Sequence, residues 1–269
     1  MAHLLLRGQT LSDAQGIPYP IEAVLFDKDG TLSISEPMLH TLASARVFHA
    51  CQLVAQRHPE LPPSQSDELA QLLERAYGLQ RQAIHPAGAT AVGSRTHNLI
   101  STATALAQVG LGWPEALELS EAVFAATDGL HGQGSQHRPL ATEGLHALVE
   151  ALRGAAVACA VISNDDSAGI EAFLASQGLS GHFQAHWSAD HSPRKPDPAA
   201  VHALCASLGV PAQRCALIGD ANSDLRMAQR AGVAVVLGYG AGWSTAPPLD
   251  PAFPCVNAWS ELQVWTTAA

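Results

Sequence analysis

Residues 36–128 carry only helical periodicity, and they interrupt a chain that otherwise alternates strands with helices. That interruption limits the fold more than any other feature. Before it stands one short apolar run, AVLFD (23–27); after it come AAVACAVISN (155–164), CALIGD (215–220) and VAVVLGYG (233–240), with a weaker run at HFQAHW (182–187). None alternates between apolar and polar residues. Strands covered by helices on both faces read this way, which predicts a parallel sheet. Helical patterns separate the runs at 142–154, 166–178, 196–209 and 222–232. The first is opened by Thr142 as an N-cap. The third has Asp197 ahead of Pro198 and closes on Gly209, the proline-in, glycine-out asymmetry of a helix. The predicted fold is therefore α/β: a doubly wound, Rossmann-like parallel sheet with an all-helical domain inserted after the first strand.

The interrupting segment contains four helical patterns, PMLHTLASARVFHACQLVAQ, SDELAQLLERAYGL, THNLISTATALAQVG and WPEALELSEAVFAATDG, separated by Pro/Gly-rich stretches such as HPELPPS and HPAGATAVGS. Its exit, GLHGQGSQHRP (129–139), reads as a hinge. The expected division is a core of residues 1–33 and 135–269 and a helical domain of residues 34–134. The prolines of PPLDPAFPCVNAWSELQVW argue against a central strand there. They leave a short edge strand near Cys255 and Val256 and a last helix capped by Asn257.

Charge and composition exclude several functions. Twenty-four acidic residues oppose 14 basic ones, for a formal net charge of −10, and no Lys/Arg cluster stands out. Nucleic acid and anionic membrane surfaces need concentrated positive charge, so neither is an expected partner. No apolar stretch approaches the ~20 residues of a membrane span, and a soluble cytoplasmic protein is expected. The five cysteines are scattered and never spaced C-x-x-C, as free thiols of a reducing compartment are.

The polar residues that matter stand at the carboxyl ends of the predicted strands. Asp27 and Asp29 follow the first, Ser163 and Asn164 the second, and Asp220 and Asp224 the third, while Lys195 sits in the loop HSPRKPDP before a helix. Open α/β sheets bind ligands in the crevice beyond those ends. Four distant segments would thus deliver carboxylates, a hydroxyl and an amine to one place.

The set D-x-D-G-T-L at Asp27–Leu32, Ser163 after an apolar strand, Lys195 followed by Pro196, and G-D-x-x-x-D at Gly219–Asp224 resembles the haloacid dehalogenase superfamily. More narrowly it resembles phosphatases of the phosphoglycolate-phosphatase-like kind, whose helical cap is inserted after the first motif. The resemblance implies Mg2+-dependent hydrolysis of a small phosphorylated metabolite through an aspartyl-phosphate. In that reading Asp27 is the nucleophile and Asp29 the general acid and base. Asp27, the Asp29 carbonyl and Asp220 hold the ion, Asp224 supports a bound water, and Gly30, Thr31, Ser163, Asn164 and Lys195 bind phosphate. Clustered carboxylates repel one another unless a cation joins them, and hard oxygen ligands suit Mg2+. Lys28 departs from the family's commoner apolar residue and is expected to point away from the crevice.

The resemblance also implies that the helical insert closes over the crevice and supplies substrate contacts. Within it, the loop HPAGATAVGSRTHN (85–98) offers Arg95, His97 and Asn98 as specificity candidates, or simply as caps of the next helix. Two alternative functions stay open: a phosphomutase of the same superfamily, which shares Asp27 and Asp29, and a non-catalytic, ligand-sensing relative. A dehalogenase would not need this acidic set. The natural substrate, the oligomeric state and the role of residues 1–20 are not legible in the sequence.

Overall fold

The structure, a computed structural model, describes residues 1–131 and 138–266. In chain order the elements are β1 (Ala2–Leu6), β2 (Gln9–Thr10), β3 (Ala23–Phe26), β4 (Ser33–Ile34), α1 (Glu36–Arg57), α2 (Pro63–Tyr77), α3 (Ala89–Val92), α4 (Arg95–Gln108) and α5 (Trp113–Thr127). They continue with β5 (Leu140–Ala141), α6 (Leu145–Gly154), β6 (Ala158–Ile162), α7 (Ser167–Ser176), β7 (Phe183–Trp187), α8 (Pro198–Leu208), β8 (Cys215–Gly219), α9 (Asn222–Arg230), β9 (Val235–Tyr239), β10 (Cys255–Val256) and β11 (Leu262–Thr266). The chain forms two compact units, Met1–Ile34 with Leu140–Ala269, and Ser35–Pro139. The boundary expected between residues 134 and 135, and much of the expected hinge, lie outside the described residues.

The first unit is built on a six-stranded sheet in the order β10-β9-β8-β3-β6-β7, all parallel. Each strand is short because its apolar run is short, and both faces are covered. Val24 and Phe26 of β3 face a core completed by Leu145, Leu148, Val149 and Leu152 of α6 and by Ile170 and Phe173 of α7. Ala23 and Leu25 face the opposite core, with Ala200, Val201 and Leu204 of α8 and Met227 and Ala228 of α9. That is the two-residue side-chain period of a strand serving two helical layers. All four β3 side chains are fully buried, and the larger ones, Phe26 and Leu25, each stabilise by about 1.5–3 kcal/mol relative to exposure. Beside this sheet, β4 pairs antiparallel with β5, so the chain departs for the insert and returns at adjacent positions.

Two local expectations are corrected. Helix α6 starts at Leu145 behind Gly144, not at Thr142. The Thr142 hydroxyl donates instead to the Thr31 carbonyl and accepts from the Trp259 indole. The last described residues also form a strand rather than a helix. After a single 3-10 turn over Trp259–Glu261, β11 pairs antiparallel with β1. Residues 1–20 supply that partner: Arg7 and Gly8, both at positive φ (52° and 78°), turn β1 into β2 as a tight hairpin.

The helical unit buries one stripe from each long helix, its members mostly three or four residues apart. Leu42, Val47, Ala50 and Val54 come from α1, Leu69, Leu73 and Tyr77 from α2, Leu99, Ala103 and Leu106 from α4, and Ala116, Leu119, Val123 and Phe124 from α5. Gly78 closes α2 in the left-handed region at φ 72°. The stretch read as the loop 85–98 is not all loop, since it contains α3 and the first turn of α4.

Candidate active site

Strand β3 lies between β6 and β8. The chain moves from β3 to β6 and β7 on one side, then returns to place β8 on the other. The order therefore reverses between β3 and β8, and the crevice beyond such a reversal is where α/β sheets bind ligands. Asp27 and Asp220 are the residues immediately after these two strands, and Ser163 follows β6.

Asp27, Asp220 and Asp224 are buried, and one carboxylate oxygen from each lies within 4.8 Å of the others. A single ammonium answers them. Lys195 Nζ donates to Asp27 Oδ1 at 2.6 Å, to Asp224 Oδ2 at 3.0 Å and to the Ile162 carbonyl at 3.3 Å. Burial alone would pull this ammonium down, but Asp224 and Asp27 hold it above the ordinary lysine value. The carboxylates carry the surplus. Burial, and then the charge of Asp27, raises Asp220 well above the carboxylate range. Burial pushes Asp224 up to about 6 despite the opposing pull of Lys195. The site therefore holds more buried negative charge than its own residues neutralise.

The turn after β3 fixes this geometry. The N–H groups of Thr31 and Ser33, and the Ser33 hydroxyl, all donate to the Lys28 carbonyl. Gly30 sits at φ 76°, where a Cβ would also collide with Asp220 Oδ2 and the Trp243 indole nitrogen. Glycine is required there on both counts. The Thr31 hydroxyl donates to Asp220 Oδ1 at 3.1 Å, and Trp243 Nε1 donates to Asp220 Oδ2 at 2.6 Å. Ser163 is buried, and its Oγ accepts the Asp165 N–H at 3.1 Å, which leaves the hydroxyl proton to donate elsewhere. Asn164, half-buried, stands next to it.

Residues 21–232 match the haloacid dehalogenase-like hydrolases as a family. The chain belongs to that family. It is 30% identical over 228 residues to a phosphoglycolate phosphatase of Rhodospirillum rubrum, covering 81% of this chain and 80% of the relative. A phosphoglycolate phosphatase of Pseudomonas savastanoi pv. phaseolicola is 34% identical over 36% of each chain. The crystal structure of a predicted phosphoglycolate phosphatase from Haemophilus somnus 129PT superposes with a TM-score of 0.60, covering 90% of this chain and 96% of that one. At 16% identity that likeness speaks for the fold alone. No described helix is long and apolar enough to cross a membrane.

In this hydrolase the side chain between the two aspartates does not point away from the crevice, as expected of it. Lys28 is 2% exposed, and its Nζ reaches Asp29 Oδ1 at 2.6 Å and Asp165 Oδ2 at 3.0 Å. Its ammonium lies over Phe173, on the face of the sheet that Val24 and Phe26 occupy, and the side chain then reaches the turns at the carboxyl ends of β3 and β6. Trp243 and Asp165 were also missed. Neither has a local signal, because each is defined by a partner far away in the sequence.

The three specificity candidates of the helical unit are engaged within it. The Arg95 guanidinium pairs with Asp128 at 2.8 Å and lies 5.1 Å from the Phe124 ring, beside Arg46 at 3.8 Å. His97 completes a capping box with Ser94 at the start of α4. Asn98 is buried, and its Nδ2 donates to the carbonyls of Ala89, Gly93 and Ser94. Of the three, His97 alone caps the helix; Arg95 makes an ion pair and Asn98 ties α4 to the segment before it.

Proposed function

We propose that the chain hydrolyses a small-molecule phosphate monoester through an aspartyl-phosphate on Asp27, as a phosphoglycolate-phosphatase-like enzyme with residues 35–139 as its cap. The observation that carries the reading is the convergence of Asp27, Asp220, Asp224 and Lys195 at the reversal point of the sheet. A carboxylate oxygen of Asp27 attacks phosphorus in line as the bond to the leaving oxygen breaks. Asp29 gives that oxygen a proton. It then takes one from the water that cleaves the acyl-phosphate, releasing inorganic phosphate and restoring Asp27. The Lys195 ammonium and the Ser163 hydroxyl offset the charge of the transferring group, with the Asn164 N–H and the turn at Gly30 and Thr31 as further donors.

The donor set fits Mg2+. Three buried hard-oxygen ligands face only one ammonium, and the strained charge of Asp220 and Asp224 is what a divalent cation would relieve. Asp27, Asp220 and the Asp29 carbonyl would hold it, with Asp224 supporting them. Bound there, the ion supplies neutralisation between an anionic nucleophile and an anionic phosphate.

The test is phosphate release from a panel of phosphorylated small acids, alcohols and sugars, with and without Mg2+. Turnover of at least one monoester, lost on chelation, is expected; no turnover of any member would reject the reading. Occupancy of the acidic cluster is measured separately by thermal unfolding. Mg2+ at about 100 times its Kd is expected to raise Tm by roughly 5–10 °C. Asp220→Asn removes that shift, and an equal Tm response in this variant would place the ion elsewhere.

A further inference from the structure

Lys28 is a long cationic side chain with almost no exposure, and it takes no part in the chemistry described above. Its surroundings are built for it. The ammonium lies between Asp29 of the turn after β3 and Asp165 of the turn after β6, 5.9 Å from the centre of the Phe173 ring. Asp165 is itself held in place: its N–H donates to Ser163 Oγ, its carbonyl accepts the Ala189 N–H, and its Oδ1 accepts the Asp166 N–H. The residue packed against that carboxylate is Gly169 of α7, where a Cβ would collide with Asp165 Oδ2. On the other side, Asp29 Oδ1 accepts from Lys28 at 2.6 Å, and the Ser33 hydroxyl, whose single proton is shared with the Lys28 carbonyl, lies 3.3 Å from the same oxygen. The ammonium is the stronger of the two contacts that orient this carboxylate.

We infer that Lys28 is a positioning residue: anchored by Asp165, its ammonium ties the Asp29 loop to the Ser163 loop and holds the Asp29 carboxylate in the orientation that delivers a proton to the leaving oxygen. The two loops come from neighbouring strands, β3 and β6, whose ladder ends at the pair Phe26 and Val161. A charged strut does what the ladder cannot. The inference rests on the proposed role of Asp29 as general acid, and its test separates the two.

A general acid matters for an alkyl leaving group, whose oxygen must be protonated, and little for 4-nitrophenolate, which departs unaided. The constant kcat/KM reports the steps through departure of that group. Lys28→Met is sterically close to the lysine stem and restores the apolar character commoner at this position. It is expected to lower kcat/KM for an alkyl phosphate on the order of 10–100-fold, part of the ~10²–10⁴-fold that acid–base catalysis supplies. The constant for 4-nitrophenyl phosphate should stay within about threefold under the same logic. Asp165→Asn, on a half-exposed side chain, should show the same selectivity at smaller size and serves if Lys28→Met does not fold. Asp29→Asn is the reference. Should it show leaving-group selectivity while Lys28→Met and Asp165→Asn do not, the strut is wrong and the general acid stands. Should Asp29→Asn itself lose equally on both esters, the general-acid assignment falls, and the strut falls with it. An equal loss on both esters in Lys28→Met alone would make Lys28 a structural residue and overturn the inference.

Discussion

Asp27→Asn is expected to lower kcat on the order of 10⁴-fold or more and leave the fold intact. The two halves of that expectation have one cause. The amide is nearly isosteric with the carboxylate and its oxygen still accepts from the Lys195 ammonium, which now bonds to Asp27 Oδ1 at 2.6 Å. It weakens the ion pair to Lys195 but also removes one of three clustered buried carboxylates that repel one another, so Tm should change little. An amide oxygen is a far poorer nucleophile toward a phosphoryl group, so the chemistry stops. Asp29→Asn should lose less, about 10²–10⁴-fold, because it removes proton transfer and not the bond-forming atom. Steady-state phosphate release measures both. Intact-mass analysis of acid-quenched wild-type enzyme should show one added phosphoryl group, absent from Asp27→Asn. Turnover retained in Asp27→Asn with a normal Tm would reject Asp27 as the nucleophile.

The parts legible in the sequence are those whose signal is local. The four strong apolar runs became β3, β6, β8 and β9, and the weaker one became β7, each trimmed by one to five residues. The polar residues that close three of them stand out as candidates by position, because a parallel strand presents its last residues at the crevice, and by the motifs they form together. What escaped was decided by partners elsewhere. For β11, Asn257 favours a helix by its sequence signal; the pairing edge of β1 decides for a strand, with Ala2 opposite Thr266 and Leu6 opposite Leu262, at the far end of the chain. Trp243 illustrates the same limit inside the site. In GYGAG, Gly238 and Tyr239 still belong to β9, and the chain leaves the sheet over residues 240–242. Yet Gly242 lies so close to the Gly30 carbonyl that a Cβ would collide with it, and this contact is what brings the indole onto Asp220. The place of Lys28 is likewise set at a distance, by Asp165, which lies much further along the chain.

Lys195→Met carries the second large effect, and here stability and activity fall together. Lys195 is buried, and its ammonium makes three hydrogen bonds, two of them to carboxylates. Methionine fills much of the same volume, so the change is one of charge. Asp27 and Asp224 are then left buried with no countercharge, and removing one partner of a buried ion pair typically costs about 3–5 kcal/mol, more than the pair itself contributes. For a chain of this size that is a fall in Tm of roughly 6–20 °C. A surface lysine would give almost nothing, since exposed pairs contribute about 0–1 kcal/mol. The size of the fall therefore discriminates between a built ion pair and a solvated side chain. The double variant Lys195→Met with Asp224→Asn removes one of the stranded charges and should recover part of the lost Tm, although Asp224→Asn alone also breaks a favourable contact. Such a sign reversal is the signature of direct coupling. Activity should not return with stability, because the ammonium that offsets the phosphate charge is still missing. A single variant with unchanged Tm, or a double variant less stable than the sum of its parts, would show that Lys195 does not hold the acidic cluster together.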